Sequence, residues 1–365
     1  MSFEKQLSRL VCLAFEKTMS LEENKNLDLG DPKNFIIIRQ HNQLGDLLSG
    51  VSLFRAIKET YPASKITLIV SPSNYPGLMK NKFIDEIFIF DKKKIYNPFY
   101  FSKFLKLLRK GYDVAVVPVV VSISFTSNLL ARISKAKIRI GPQMLDGKIN
   151  GSRFFFDRRV VLDWRKNPDS NISERSLDIL RPFGINTNNY RSEISFDKDD
   201  EKVAEDFINS IDSKENNKLI GLHVGAGKIP NMWSLYKYLK IIEKLNKEFN
   251  AKVYLTGSKA DTEAINFMVE KTKIKLGLFI DRKIPEVAAL ISKSDLFISN
   301  DTGIMHVAGT TNTPQITIFG PTNPFNWAPI GENKLFIRKS ELIDDVEVED
   351  IYDMCKNILS KKSAK

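Results

Sequence analysis

The sequence is poor in the residues that build covalent staples and metal sites. It holds two cysteines, Cys12 and Cys355, and three histidines in 365 residues. Two distant thiols give neither a CxxC pair nor a disulfide framework, which fits a reducing cytoplasm. Histidines without close thiol or carboxylate partners argue against a structural metal site. No apolar run approaches transmembrane length, and the stretch after Met1 lacks a signal-peptide core. Acidic residues are also in deficit: 44 Asp and Glu stand against 55 Lys and Arg, leaving a formal charge of +11. Such an excess suits an anionic partner, whether nucleic acid, a phosphorylated substrate or a membrane surface. No nucleic-acid module signature is present.

What remains is ordinary for a soluble globular protein, with 42% hydrophobic and 27% charged residues. The length suits two domains, each with its own core. No internal repeat is present beyond two α/β halves of similar design. Near the start, Phe3, Leu7, Leu10, Val11, Ala14 and Phe15 share one helical stripe with Lys5, Arg9 and Lys17 off it. Such a helix can lie on an anionic membrane or pack on its own protein. Ser20 to Asn34 reads as a linker.

The most informative stretch runs from Ser294 to Pro329. Leu296 to Ile298 predicts a buried strand, Asn300-Asp301-Thr302-Gly303 a tight loop, and Ile304, Val307 and Ala308 a helix. Gln315 to Phe319 predicts a second strand, closed by Gly320-Pro321. Ligands of open α/β sheets bind outside the carboxyl ends of such strands. The N–H groups of Thr302, Gly303 and Ile304 suit a phosphate. The same pattern also serves as an ordinary N-cap by Asp301 or Thr302.

An earlier βαβ unit places Phe35 to Ile38 before Gly45-Asp46, one helix to Tyr61, and a strand at Ile66 to Val70. Asp46 in a first helical turn is favoured for capping and dipole reasons alone, or serves as a general base. His41 is the competing base. Further strands are expected at Ile87 to Phe90, Val114 to Val121 and Ile138 to Gly141, with Phe154-Phe155-Phe156 as a buried strand. Glu174 to Phe183 predicts one helix ended by Gly184. In the second half, Leu219 to Val224 leads into Gly225-Ala226-Gly227-Lys228. This is no P-loop, since Leu222 and Ile229 occupy required Gly and Ser/Thr positions. Nor is it a dinucleotide fingerprint, since Pro230 replaces the third glycine.

The run DTGIMHVAGTTNTPQITIFGPTNPFNW resembles the nucleotide-sugar loop of the heptosyltransferases, the family nine glycosyltransferases. Their pattern is D-T-G-x-M-H-x-A, then T-P, then F-G-P-T-x-P. The segment around Gly45-Asp46 resembles the family's first strand, glycine-aspartate turn and helix. HVGAGKIPNMW resembles its H-x-G-A loop, but Asn231-Met232-Trp233-Ser234 replaces a lysine-x-tryptophan-proline element. Thr256-Gly257-Ser258 with Asp261 and Glu263 resembles the turn near the nucleoside.

The resemblance implies an α/β, GT-B-like architecture of two Rossmann-like domains facing a cleft. An extension and linker (1–33) would precede an acceptor-side domain (34–195), a nucleotide-sugar domain (196–340) and a final helix (341–365). It implies an inverting, metal-independent and cofactor-free transfer from a nucleotide sugar, ADP-heptose, to a lipopolysaccharide-core acceptor. The expected site is cytoplasmic, on or near the inner membrane face, with no nucleic acid involved. Asp46 would be the base and Lys228 the cation at the departing diphosphate. Asp301, Thr302, Gly303, His306, Gly225 and Asn231 would bind donor, and Glu263 or Asp261 the ribose. The rival expectation is a non-catalytic paralogue that docks on anionic lipid or nucleic acid through its basic half.

Overall fold

The computed structural model describes residues 12–40, 43–211 and 217–361. They fall into two compact units. One comprises the chain to Tyr75 together with Lys82–Tyr190; the other comprises Pro76–Asn81 together with the chain from Arg191. The short Pro76–Asn81 insert is tied to its unit by charge. Lys80 Nζ lies 2.6 Å from both Asp197 and Asp200, and Asn81 Nδ2 donates to the Glu193 carbonyl at 3.0 Å.

The first unit is built on strands β1 (Asn34–Ile38), β2 (Lys65–Val70), β3 (Glu86–Ile89), β4 (Val114–Val116), β5 (Ile138–Leu145), β6 (Lys148–Ile149) and β7 (Arg158–Leu162). Their order is β3-β2-β1-β4-β5, with β7 parallel and β6 antiparallel to β5. Phe35 to Ile38 are fully buried, as the continuous apolar run of a central parallel strand requires. The single helix expected after Asp46 is divided into Leu44–Ser49 and Val51–Thr60. Gly50 marks the break, where its N–H bonds back to the Leu47 carbonyl at 3.1 Å in a tightened turn.

The strand expected over Val114 to Val121 stops at Val116, and two further expectations fail here for physical reasons. Phe154 to Phe156 are not a strand: Arg153–Phe155 form a 3₁₀ turn, and the N–H groups of Phe155 and Phe156 bond locally to the Ser152 and Arg153 carbonyls at 3.2 and 3.0 Å, so the three rings are buried without pairing to a strand. Glu174 to Phe183 are not one helix but a short helix, Ile172–Arg175, and a 3₁₀ turn, Arg181–Phe183. Pro182 lacks an N–H and disfavours helix before it. Gly184 does end the segment, at φ +74°. Of the amphipathic N-terminal stripe, residues 1–11 lie outside the described residues. Residues 12–19 are helical, and the Phe15 ring packs on Phe125 and Phe155 at 5.8 and 6.0 Å within the same unit.

The second unit carries β8 (Leu219–His223), β9 (Lys252–Gly257), β10 (Gly277–Ile280), β11 (Leu296–Asn300), β12 (Gln315–Ile318) and β13 (Lys334–Ile337). All are parallel, in the order β10-β9-β8-β11-β12-β13. The chain order reverses between neighbouring β8 and β11, so the loops leaving these two strands open side by side. Helices Leu235–Phe249 and Val348–Lys361 are pinned to the sheet through Tyr238, Ile241, Leu245, Ile351, Cys355 and Leu359, which share one buried cluster with the strands.

Candidate active site

Asn300, the last residue of β11, is fully buried and makes four side-chain hydrogen bonds. Its Nδ2 donates to the carbonyls of Val224 and Gly225, both at 3.0 Å. Its Oδ1 accepts from the Trp233 N–H at 3.2 Å and the Tyr238 hydroxyl at 3.0 Å. One amide thereby staples the loop after β8, and the start of the following helix, to the loop after β11. Trp233, with no exposed surface, is held further by its indole N–H on the Val346 carbonyl at 2.8 Å.

The two stapled loops carry most of the residues singled out in the sequence. Gly225 is required by close approach, since a Cβ there would stand 2.0 Å from Asp261 Oδ1. Asp261 is fixed by its own turn, accepting from the Ser258 N–H at 2.8 Å and its hydroxyl at 2.9 Å. Of the two candidate ribose acids, Asp261 abuts the Gly225 loop, whereas Glu263 is exposed in the first turn of helix Thr262–Lys271. Across the loop, Asn231 Nδ2 donates to the Asp301 carboxylate at 3.0 Å. Burial raises the Asp301 carboxyl above its ordinary range, while the Thr322 hydroxyl and the Lys228 ammonium draw it back. Lys228 itself is exposed, near enough to Asp301 to act on its charge.

Thr302 and Gly303 begin helix Gly303–Gly309 at the same edge, where first-turn N–H groups have no intrahelical acceptor. His306 lies within this helix, buried, with its ring edge-on to Trp327 at 6.4 Å. Burial pushes its pKa down to about 4, so the imidazole is neutral at pH 7. His223, at the end of β8, is likewise buried and pulled down by desolvation against the opposing charge of Asp261. Its Nδ1 sits 3.1 Å from Thr256 Oγ1.

Sequence reasoning missed Asn300 and Lys334. Lys334 is buried at the start of β13 and donates to the carbonyls of Ala308 at 3.0 Å and Thr313 at 2.6 Å. It thus closes the carboxyl end of helix Gly303–Gly309, where a cation is favoured. Burial, with the charge of Arg191, pulls its ammonium down to about 7. An asparagine directly before D-T-G was a visible signal for the first; nothing in the local pattern marks the second.

In the first unit, Asp46 is buried in the first turn of helix Leu44–Ser49. Arg39, directly after β1, is buried beside it, and its Nη2 donates to the Asp46 carbonyl. The guanidinium lies beside Gly50, where a Cβ would make only an ordinary 3.4 Å contact with Arg39 Cζ. Burial lowers the Arg39 pKa, and the Asp46 charge opposes that loss. A buried arginine thus backs a buried carboxylate where β1 gives way to its helix. His41, the competing base, lies outside the described residues.

The model of glycosyltransferase family 9 (heptosyltransferase) matches residues 101–353. Lipopolysaccharide heptosyltransferase 3 of Escherichia coli K12 is 26% identical over 305 residues, covering 79% of this chain and 83% of that protein. Among solved structures, a family 9 glycosyltransferase of Veillonella parvula superposes with a TM-score of 0.79 at 19% identity, covering 93% of this chain and all of the other. The E. coli ADP-heptose lps heptosyltransferase II gives 0.74 at 19% identity, over 91% and 99% of the two chains. These likenesses agree with two parallel-sheet units of Rossmann order, the GT-B-like architecture. With the family match spanning well over half of its length, the chain belongs to glycosyltransferase family 9, the heptosyltransferases.

Proposed function

We propose that this enzyme transfers heptose from ADP-heptose to a lipopolysaccharide-core acceptor, with inversion and without a metal ion. The observation that carries the reading is the Asn300 staple, which joins the Gly225 loop to the Asp301-Thr302-Gly303 helix start where the sheet order reverses. A donor diphosphate laid across these loops would meet N–H groups and the Lys228 ammonium. The missing Cβ at Gly225 lets Asp261 close on this loop, and that carboxylate would serve the ribose on the nucleoside side. The relative named lipopolysaccharide heptosyltransferase 3 supports the sugar and the acceptor class, and the neighbour named for ADP-heptose supports the donor.

The chemistry would be one displacement. The acceptor oxygen bonds to the anomeric carbon as the bond from that carbon to the diphosphate oxygen breaks. The acceptor proton passes to the Asp46 carboxylate, and the electron pair leaves with ADP. Attack opposite the leaving group inverts the centre. Charge growing on the diphosphate is offset by fixed dipoles and one lysine, so no bound cation is needed for that purpose. Neutral His306, buried within its helix against Trp327, would support packing rather than proton transfer.

The test is turnover of ADP-heptose with heptose-deficient core as acceptor, with and without EDTA, and the product's anomeric configuration read by NMR. Inverted product formed equally in EDTA supports the reading. Absence of turnover with this donor would sink the donor assignment. Activity lost in EDTA and restored by Mg²⁺ or Mn²⁺ would reverse the metal-free mechanism.

A further inference from the structure

The two most exposed large apolar side chains among the described residues are Tyr96 at 92% and Phe99 at 86%. They flank Asn97, which caps helix Pro98–Leu108 by accepting from the N–H groups of Phe99 at 3.0 Å and Tyr100 at 3.1 Å. The tip that carries the rings is therefore anchored. Pro98 occupies the first turn, and the Tyr100 hydroxyl donates to the Ile89 carbonyl at 2.9 Å. The inner side of the helix is committed to the core, with Phe104 packed on Phe88 and Phe90 at 5.2 and 4.7 Å. On the outer side, Phe99, Lys103, Lys106 and Lys110 follow at helical spacing, and all are exposed.

Charge in this segment has one sign. Between Asp91 and Asp113 the sequence holds seven basic residues and no acidic one. Lys110 is paired with Glu86 at 2.7 Å. Among the described residues no ion pair engages Lys92, Lys93, Lys94, Lys103, Lys106 or Arg109. An ordinary surface lysine needs no explanation, but a rigid aromatic tip ringed by uncompensated lysines does. Rings at such a tip suit the headgroup level of a bilayer, and lysines around them suit anionic lipid.

We propose that Tyr96, Phe99 and the lysines beside them form a docking surface for an anionic membrane. The surface lies in the first unit, apart from the residues assigned to donor chemistry, and the inference does not rest on the identity of the transferred sugar. A soluble phosphate is poorly served here. The groove behind the helix, about 780 Å³, is lined by Glu86 and Asp91 as well as Lys94 and Lys103. Nor does the patch suit a nucleic-acid strand, since the two exposed rings stand at a helix tip instead of along a backbone-tracking groove.

The test is co-sedimentation of the full chain with vesicles of phosphatidylcholine alone, or mixed with phosphatidylglycerol, across a salt series. Binding to the mixed vesicles that weakens with salt is expected. Each of Lys103→Gln and Lys106→Gln should lower partitioning by about fivefold. The pair Tyr96→Ser and Phe99→Ser should lower it by about tenfold or more while leaving the thermal midpoint unchanged. In a Phe99→Trp variant, indole emission should shift to the blue on adding mixed vesicles. Unchanged partitioning of the lysine and aromatic variants would overturn the proposal. So would tight binding of a single-stranded RNA with no binding to vesicles.

Discussion

Asn231 holds Asp301: its side-chain amide donates to the carboxylate at 3.0 Å and to the carbonyl at 3.3 Å. The family pattern has a lysine at this position, so a neutral clamp stands where a cation is expected. The clamp fixes the loop before Thr302 and occupies one carboxylate oxygen. In the proposed mechanism the departing diphosphate would be met by Lys228, the lysine of the same loop. Lys228→Ala should lower kcat by about ten- to a thousandfold, the range for losing one transition-state charge contact. Asn231→Ala should cost less, and Asn231→Lys in the Lys228→Ala background should recover part of the rate. Steady-state kinetics with ADP-heptose would decide; a wild-type rate for Lys228→Ala would leave the cation elsewhere.

Asp46→Asn preserves shape and removes proton acceptance. Transfer should fall by roughly 10²–10⁴-fold while donor binding, followed by calorimetry, stays nearly intact. A variant retaining half the rate would remove Asp46 from the mechanism.

Asn300→Ala would leave the carbonyls of Val224 and Gly225 and the N–H of Trp233 buried without their present partner. Each such loss costs about 1–3 kcal/mol. Some relaxation or water entry is expected, so the thermal transition of the second unit should drop by the equivalent of about 2–5 kcal/mol. Donor affinity should fall with it. Asn300→Asp should be no remedy, because a carboxylate cannot donate to two carbonyls. Calorimetric scans with and without ADP would reveal a merely ornamental Asn300 as an unchanged midpoint.

His306 supplies a pH dependence with a definite sign. Its folded pKa, about 4, lies below the ordinary value of 6.5. The unfolded chain therefore binds the proton first as pH falls. Its contribution is fully present above 6.5 and is lost progressively as pH drops towards 4, by up to roughly 3 kcal/mol. His223 adds in the same direction. Urea denaturation at pH 7.5 and pH 4.5 should show a smaller difference for His306→Phe than for the parent. Equal differences would mean that the imidazole titrates in the folded state as it does in water.

Much of the second unit was legible because its central parallel strands are short, mostly apolar stretches closed by turn residues. Leu219 to Val224 and Leu296 to Ile298 could hardly be anything else once Gly225 and Asn300-Asp301 followed them. The edge strands β10 and β13 were not picked out, since Leu278 to Ile280 and Leu335 to Ile337, though apolar, are followed by Asp-Arg-Lys and Arg-Lys-Ser and not by a glycine turn. Near Asp46 the strand and turn were readable, but not the break at Gly50, since the apolar spacing runs on across it, nor the Arg39 bond to the Asp46 carbonyl. Phe154 to Phe156 announced burial without announcing geometry. The pairing of Asn231 with Asp301 joins residues 70 apart in the chain, so sequence alone could register a missing lysine but not its replacement by a clamp.

The Pro76–Asn81 insert has a consequence for engineering and for descent. The polypeptide leaves the first unit at Tyr75, contributes six residues to the second, and returns at Lys82 before leaving again at Tyr190. Neither half is therefore a single contiguous gene segment. A chimera joined only at Tyr190 would keep Asp197 and Asp200 but inherit whatever its other parent carries in place of Lys80. Those carboxylates, now matched to one ammonium, would repel one another unless the graft brought its own cation. Recombination between relatives should thus succeed when all three crossings move together, and the short insert behaves as a compatibility tag carried in the opposite half of the gene.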